Sequence, residues 1–262
     1  MSMTDLQQQL SEIGIDCSTL DLMASRSRKP FYQLTTQGGD VALDIWRKLR
    51  SISAETGCRP VILGPPEEVQ HRDFTQSPTP EQVNETLGLS SQIRVPGWFA
   101  DRHEERLNDF LEYNEGEDPS ECFAKEGEWP KNIRPATSLY TTFQGKNRQP
   151  HGEIRFALIP TSKGWEVPAY LGFGGWNECP DDAVQCAVFK YWHDRWGSEI
   201  VVVTNDVIEA QVKHPVASRA DALALANEQY EFCEDIVSQG TGTLSKLAAS
   251  LLNAPLWFFW WD

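Results

Sequence analysis

The sequence predicts an α+β fold with a mixed or antiparallel sheet, helices packed on at least one face and an irregular acidic middle segment. Three observations support this prediction. Short apolar runs bounded by glycine or proline, such as RPVILG at residues 59–64, are typical of buried strands. Segments with helical apolar spacing and capping residues lie between these runs. The chain has 262 residues, of which 40% are hydrophobic, so it can bury a substantial core.

Residues 1–150 are predicted to form an N-terminal helix and strand region that includes the acidic segment. A short helix is expected over residues 4–13. The next helix has Asp40 as its N-cap and Gly57 in the left-handed conformation that ends a helix. Its predicted inward face carries Val41, Ile45, Leu49 and Ile52. RPVILG follows as a buried strand.

The middle segment is strongly acidic. Residues 101–130 contain eleven acids and three bases, which gives −8 of the chain's net charge of −15. Its first part has the spacing of an amphipathic helix, with Leu107, Phe110 and Leu111 directed inward. Such a segment is either a solvated surface or a patch that attracts a basic partner.

Residues 151–262 are predicted to form an α+β domain, either separate or part of one continuous globule. Two strands are expected at residues 153–160 and 165–173, joined by a TSKG turn, followed by a helix from Pro180 to Trp196. SEIVVVTNDVIEAQV predicts a β-hairpin. Ser218 and Asp221 have capping-box spacing before the next helix, and a helix over 243–252 precedes a terminal strand.

Charge and composition limit the function. A net charge of −15 argues against nucleic acids and anionic membranes as partners. The first residues lack a signal peptide pattern, and the longest apolar run is too short to span a bilayer, so the expected location is the cytoplasm. The spacing of the six cysteines predicts no disulfide framework, no metal site and no cofactor.

A glycine-rich loop, GFGGWNECP, offers the first candidate site. Gly172, Gly174, Gly175 and Trp176 are expected to form a sharp turn into a helix. The loop lacks the lysine of a phosphate-binding P-loop, and Asp181 and Asp182 occupy the place that an anion would take. The loop is therefore predicted to be a constrained turn first and a ligand site second.

The best acid–base candidates are Glu178, His193 and Asp194. A histidine near a carboxylate can transfer a proton near neutral pH, but His193 and Asp194 are adjacent on a helix and their side chains diverge. Cys179 is the only cysteine that a helix N-terminus could activate, and the neighbouring acids oppose a thiolate there.

The terminal strand carries aromatic side chains on both of its faces, in the run LWFFWWD. Burial on both sides accounts for this pattern. The alternative is that one face is partly exposed, with Trp260 or Trp261 as a binding anchor.

Four ordered motifs carry a resemblance to a known family. VPAYLGFGGWNECP, YWHDRWGSEIVVVTNDVIEAQV, SRADALALANEQYEFCEDIV and GTLSKLAASLLNAPLWFFWWD resemble the bacterial domain-of-unknown-function family 4253 over residues 154–262. The resemblance implies no activity, because the family has none established.

Two functions follow as expectations. The first is a cytoplasmic, non-enzymatic interaction protein, for instance an immunity-type inhibitor that neutralises a basic toxin domain through its acidic surface. The residues expected to contact such a partner are Glu104, Glu105, Asp109, Glu112, Glu115 and Asp118. The alternative is an enzyme that uses the Gly172–Pro180 loop with Glu178 and His193.

Overall fold

A seven-stranded mixed sheet organises the protein in a computed structural model that describes residues 2–23, 31–69 and 77–262. The strands are β1 (Asp21–Met23), β2 (Phe31–Gln37), β3 (Arg59–Gly64), β4 (Phe143–Gln144), β5 (Gln149–Pro150), β6 (Glu153–Ile159), β7 (Ser198–Val203), β8 (Val207–Val212) and β9 (Leu256–Trp260). The order in the main sheet is β1-β2-β6-β3-β7-β8-β9, and β4 and β5 form a separate ribbon. The predicted α+β fold with a mixed sheet is confirmed.

Strands from both halves of the sequence alternate in this sheet. The strand β6 pairs antiparallel with both β2 and β3, so it lies between two strands of the N-terminal region. The pair β3–β7 is parallel, with Ile62 opposite Val202, and the other neighbours in the sheet are antiparallel. The parallel pair brings the carboxyl ends of β3 and β7 to the same edge.

Helices cover both faces of the sheet. They are α1 (Met3–Glu12), α2 (Ala42–Ser51), α3 (Ser53–Thr56), α4 (Pro66–Val69), α5 (Pro80–Ser90), α6 (Val95–Tyr113), α7 (Val167–Leu171), α8 (Asp182–Trp196), α9 (Arg219–Phe232) and α10 (Leu244–Leu251). On one face, Leu6 of α1 and Trp46 of α2 share a buried cluster with Phe156 of β6. On the other, side chains of α6 to α10 share a second cluster with Ile200 and Ile208.

Several helix boundaries follow from capping. The Ser218 side chain accepts a hydrogen bond from the Asp221 amide at the start of α9, as the sequence predicts. At α8 the N-cap is Asp181, so this helix begins two residues later than predicted. It ends at Gly197, whose φ of 62° is left-handed.

Residues 165–173 were predicted to be a strand, and this prediction is wrong. They form a 3-10 turn at Gly164–Glu166 and the helix α7. Pro168 lies in the first turn of α7, where its missing N–H costs no hydrogen bond, and Gly172 ends the helix with a φ of 58°. A short apolar run bounded by these residues suits a helical turn as well as a strand.

Two predicted inward faces also need correction. Leu111 is 45% exposed, because α6 contacts the core mainly through its N-terminal half, where Val95 and Phe99 are buried. Val41 is 43% exposed, because it belongs to a 3-10 turn that precedes α2. The large core side chain of α2 is instead Trp46.

The terminal strand fills the core with one face. Trp257, Phe259 and Trp261 are at most 2% exposed, and Phe259 stacks on Trp192 of α8 with ring centroids 5.4 Å apart. The opposite face carries Phe258 and Trp260, both half-buried. Trp261 is therefore a core residue, and of the two predicted anchors Trp260 alone is partly exposed. None of the helices in the described ranges has the length and hydropathy needed to cross a bilayer.

Candidate functional site

The outer surface of α6 carries the acids that the sequence singles out. Glu104, Glu105, Asp109 and Glu112 are all exposed. With 3.6 residues per turn, these four positions fall within an arc of about 140° on one side of the helix. The exposed Glu115 follows directly after the helix. We call these five residues and the exposed Asp118 the acidic face; they are Glu104, Glu105, Asp109, Glu112, Glu115 and Asp118.

The arginines of α6 point away from most of these acids. Arg102 forms an ion pair with Glu178, and its other contact is to Glu105 at 3.5 Å. Arg106 pairs with Glu234 and lies 3.7 Å from Glu231, both near the end of α9. Both arginines of this helix therefore pair with acids of the C-terminal region and hold α6 against it.

Most of the acidic face has no cation of its own. Within residues 2–23, 31–69 and 77–262, no ion pair involves Glu104, Asp109, Glu112 or Glu115. Asp118 accepts the Ser120 amide at 2.9 Å, and this hydrogen bond lowers the pKa of its carboxyl group. The face is therefore a group of solvent-exposed carboxyl groups, most of which lack an ion-pair partner among the described residues.

The glycine-rich loop is a closed turn between α7 and α8. Gly172, Gly174 and Gly175 all have positive φ values, of 58°, 112° and 84°. The Gly175 amide donates to the carbonyl oxygens of Cys179 and Pro180, at 3.1 and 3.2 Å. Trp176 is half-buried and meets Phe173 edge-on at 4.9 Å. The amides of Gly175 and Cys179 therefore donate within the turn itself.

The N-terminus of α8 offers little to an anion. The Asp181 carboxylate accepts the Val184 amide at 2.9 Å, and Asp182 contributes a second negative group. Burial raises the pKa of the Asp182 carboxyl, against the opposing effect of its hydrogen bond from Thr86. The capping acids thus occupy the position that a phosphate would take.

The proposed acid–base residues do not meet. Glu178 precedes α8 and pairs with Arg102, whereas His193 lies near the other end of the helix, about 16 Å along the axis from Asp182 at 1.5 Å per residue. The His193 Nδ1 is 2.8 Å from the Ser198 carbonyl, and its ring packs on Trp165. Asp194 pairs with Lys190 at 2.5 Å on the surface.

Burial raises the pKa of three cysteine thiols, those of Cys179, Cys186 and Cys233. Burial raises the pKa of Cys179 to about 12, and the hydrogen bond from Gln185 only partly offsets this effect. At neutral pH this side chain is a thiol, which is a poor nucleophile. Among the residues described, no cluster of three or more histidines, cysteines or acids could hold a metal ion.

A cleft at the carboxyl ends of β3 and β7 was not predicted. Its volume is about 690 Å³, and its walls come from α4, residues 140–151, the turn after β7, and β9. Its described lining residues are Glu67, Glu68, Tyr140, Thr141, Phe143, Gln144, Gly145, His151, Thr204, Asp206, Val207, Phe258 and Trp260. We call this the aromatic–acidic cleft. The only sequence signal for it was the possible anchor role of Trp260, since the other walls are distant in the chain.

A buried carboxylate holds one wall of this cleft. Glu209 of β8 is 2% exposed and lies opposite Phe258 in the sheet register. Its two carboxylate oxygens accept the amides of Tyr140 and Thr141, at 2.7 and 2.8 Å. Burial raises the pKa of Glu209, and the two amide donors act in the opposite direction. Glu209 therefore fixes the segment that begins at Tyr140 onto the sheet.

Comparison with known proteins gives one match. A family model described as Domain of unknown function (DUF4253) matches residues 155–262. No curated protein and no solved structure matches the chain. The matched region contains β7 to β9 and α7 to α10, and the cleft and the acidic face both include residues that precede it. Residues 155–262 therefore match the DUF4253 family model, in agreement with the motifs of the sequence.

Proposed function

We propose that this protein is a cytoplasmic, non-enzymatic interaction protein whose acidic face binds a basic protein partner, as an immunity-type inhibitor binds a toxin domain. The observation that carries the proposal is the separation of charge on α6. Its arginines pair with the C-terminal region, while most of its outer acids lack an ion pair among the described residues. An uncompensated surface of this kind attracts cations at long range.

The physical benefit of such a surface is fast and selective association. Charges of opposite sign steer a diffusing partner toward the correct orientation, and like charges repel unsuitable partners. Arg102 and Arg106 hold α6 against the C-terminal region, and Glu104 and Glu105 lie between these two anchors. A rigid surface loses little conformational entropy on binding.

The enzymatic alternative has less support. Glu178 and His193 lie near opposite ends of α8, and both already have partners within the protein. The turn amide of Gly175 is likewise bonded within the loop. A catalytic pair needs its groups within reach of one substrate, so these residues do not make one site.

The test is affinity capture from the source cells, followed by binding measurements with the purified captured protein. The test variant neutralises the four acids of α6: Glu104→Gln, Glu105→Gln, Asp109→Asn and Glu112→Gln. A matched control neutralises four exposed acids carried by other elements: Glu12→Gln, Asp40→Asn, Glu55→Gln and Glu153→Gln. Both variants have the same net charge, so they differ only in where charge is removed.

The proposal predicts that the captured partner is basic. The α6 variant should bind it at least about tenfold more weakly, because it loses the local field, and the control should bind nearly as the wild type does. Capture of an acidic partner, or equal weakening by both variants, would contradict the proposal.

A further inference from the structure

The aromatic–acidic cleft lies on a different side of the sheet from the acidic face. Phe258 and Trp260 point to the face opposite that of Trp257 and Phe259, and α6 packs on the latter side through Phe99. The cleft also lies at the carboxyl ends of the parallel pair β3 and β7, an edge at which open α/β sheets bind ligands. It is therefore a separate candidate site.

We propose that the aromatic–acidic cleft binds the guanidinium group of an arginine side chain in a peptide segment of another protein. The inference goes beyond the proposed function, because it assigns a second site and a specific chemical group. It does not depend on the acidic face.

The walls of the cleft supply aromatic surface in a fixed arrangement. Tyr140 meets Phe258 edge-on, with ring centroids 5.2 Å apart. The indole N–H of Trp260 donates to the Asp206 carboxylate at 3.1 Å, and this bond sets the orientation of the ring. Thr204 donates to the other oxygen of Asp206 at 3.1 Å. Aromatic faces attract cations through the negative electrostatic potential above and below the ring.

Acids predominate among the charged side chains that the structure describes in the cleft, and His151 lies 3.7 Å from Glu67. Glu68 and Asp206 are exposed acids on its walls, and Glu67 lies beside them. Among the described lining residues there is no lysine or arginine. Acids next to aromatic rings favour a cationic group that stacks on the rings and pairs with the carboxylates.

The protein already shows how two of these rings receive a guanidinium group. The guanidinium carbon of Arg148 lies 4.9 Å from the centre of the Phe143 ring and 5.8 Å from that of Tyr140. Arg148 also donates to the Leu139 carbonyl at 2.8 Å and is not among the lining residues of the cleft. A planar guanidinium group stacks on such rings better than the compact ammonium group of lysine, which favours arginine as the occupant.

The probe that tests this inference is N-acetyl-arginine amide, which presents the side chain without a free carboxylate. The readout is the Trp260 indole N–H signal in a proton–nitrogen correlation spectrum, assigned with Trp260→Phe. The charge variant is Glu68→Gln with Asp206→Asn, in which the asparagine keeps an oxygen acceptor for Trp260. If the double variant loses its near-ultraviolet circular dichroism signal, and therefore its tertiary packing, Glu68→Gln alone is used as the charge variant. The control is Glu104→Gln with Asp109→Asn, which removes the same charge from α6.

We expect a saturable shift of the Trp260 signal and binding about tenfold weaker in the charge variant, with the α6 control unchanged. N-acetyl-citrulline amide, which has a similar shape without the charge, should bind about tenfold more weakly as well. The inference is overturned if the arginine probe causes no saturable shift, if the citrulline probe binds equally well, or if the α6 control weakens binding as much. Stronger binding of tetramethylammonium or of free arginine would also overturn it, because the site would then serve small molecules.

Discussion

Two single replacements by alanine, one at each of the adjacent glycines of the loop, separate the cost of backbone strain from the cost of a steric clash. Both residues have positive φ, 112° at Gly174 and 84° at Gly175. A Cβ atom on Gly174 would lie 2.0 Å from the Pro180 carbonyl oxygen, whereas one on Gly175 would meet nothing within 4 Å. The two substitutions therefore share a conformational penalty, and only one has a clash.

The expected magnitudes follow from these distances. Gly175→Ala should lower the free energy of unfolding by about 1–2 kcal/mol, the cost of a left-handed alanine. Gly174→Ala adds the displacement of the Pro180 carbonyl, an overpacking cost of about 1–3 kcal/mol, to strain of about 1–3 kcal/mol. At about 2–4 °C per kcal/mol for a chain of this size, the melting temperature should fall by about 2–8 °C for Gly175→Ala and by about 4–24 °C for Gly174→Ala.

Thermal and urea denaturation followed by far- and near-ultraviolet circular dichroism measure both changes. Each variant should remain cooperative, because the loop lies at one end of α8 and not in the sheet. An equal or smaller loss of stability for Gly174→Ala than for Gly175→Ala would refute the geometry described for this turn.

Two further predictions concern the core and an ion pair. Deletion of residues 256–262 removes Trp257, Phe259 and Trp261, each of which is at most 2% exposed. Each of these side chains contributes about 1.5–3 kcal/mol by burial, so we expect soluble, cooperative folding to be lost. An unchanged melting temperature of the truncated protein would contradict this prediction. Glu199 is partly buried, which raises its pKa, but the hydrogen bond from Arg50 and the charges of Arg50 and Arg59 outweigh burial and hold the pKa below its usual value. A carboxyl group whose pKa is lower in the folded than in the unfolded protein stabilises the fold at pH values above its unfolded pKa. This stabilisation is lost as the pH falls through the folded pKa. Arg50→Ala should therefore lower the free energy of unfolding by about 2 kcal/mol at pH 7. This cost should shrink as the pH falls below about 4; a cost that is the same at pH 7 and pH 3 would exclude the ionised pair as its source.

The sequence predicted the elements whose signals are local. RPVILG is a buried strand, SEIVVVTNDVIEAQV is a hairpin, and the helix after Ser218 begins at the predicted cap. The error at residues 165–173 has a physical origin, because a short apolar run with proline and glycine suits a helical turn and a strand alike. Length and composition do not decide such cases without the tertiary contacts.

The sequence could not predict the aromatic–acidic cleft. Its walls come from Glu68, Tyr140, Asp206 and Trp260, and only folding brings these together. The strand order that places β3 beside β7 is also not encoded in any local pattern. By contrast, the exposure of the four acids of α6 was predictable, because helical spacing places them on one side of the helix.

The central claim is that the acidic face directs a basic partner to this protein. The most direct measurement is the association rate constant with the purified captured partner, at low and at physiological ionic strength, for the wild type, the α6 variant and the matched control. The claim predicts a wild-type rate that falls about tenfold or more as salt is added, a slower and nearly salt-independent rate for the α6 variant, and wild-type behaviour for the control. An α6 variant with the wild-type rate and the wild-type salt dependence would contradict it.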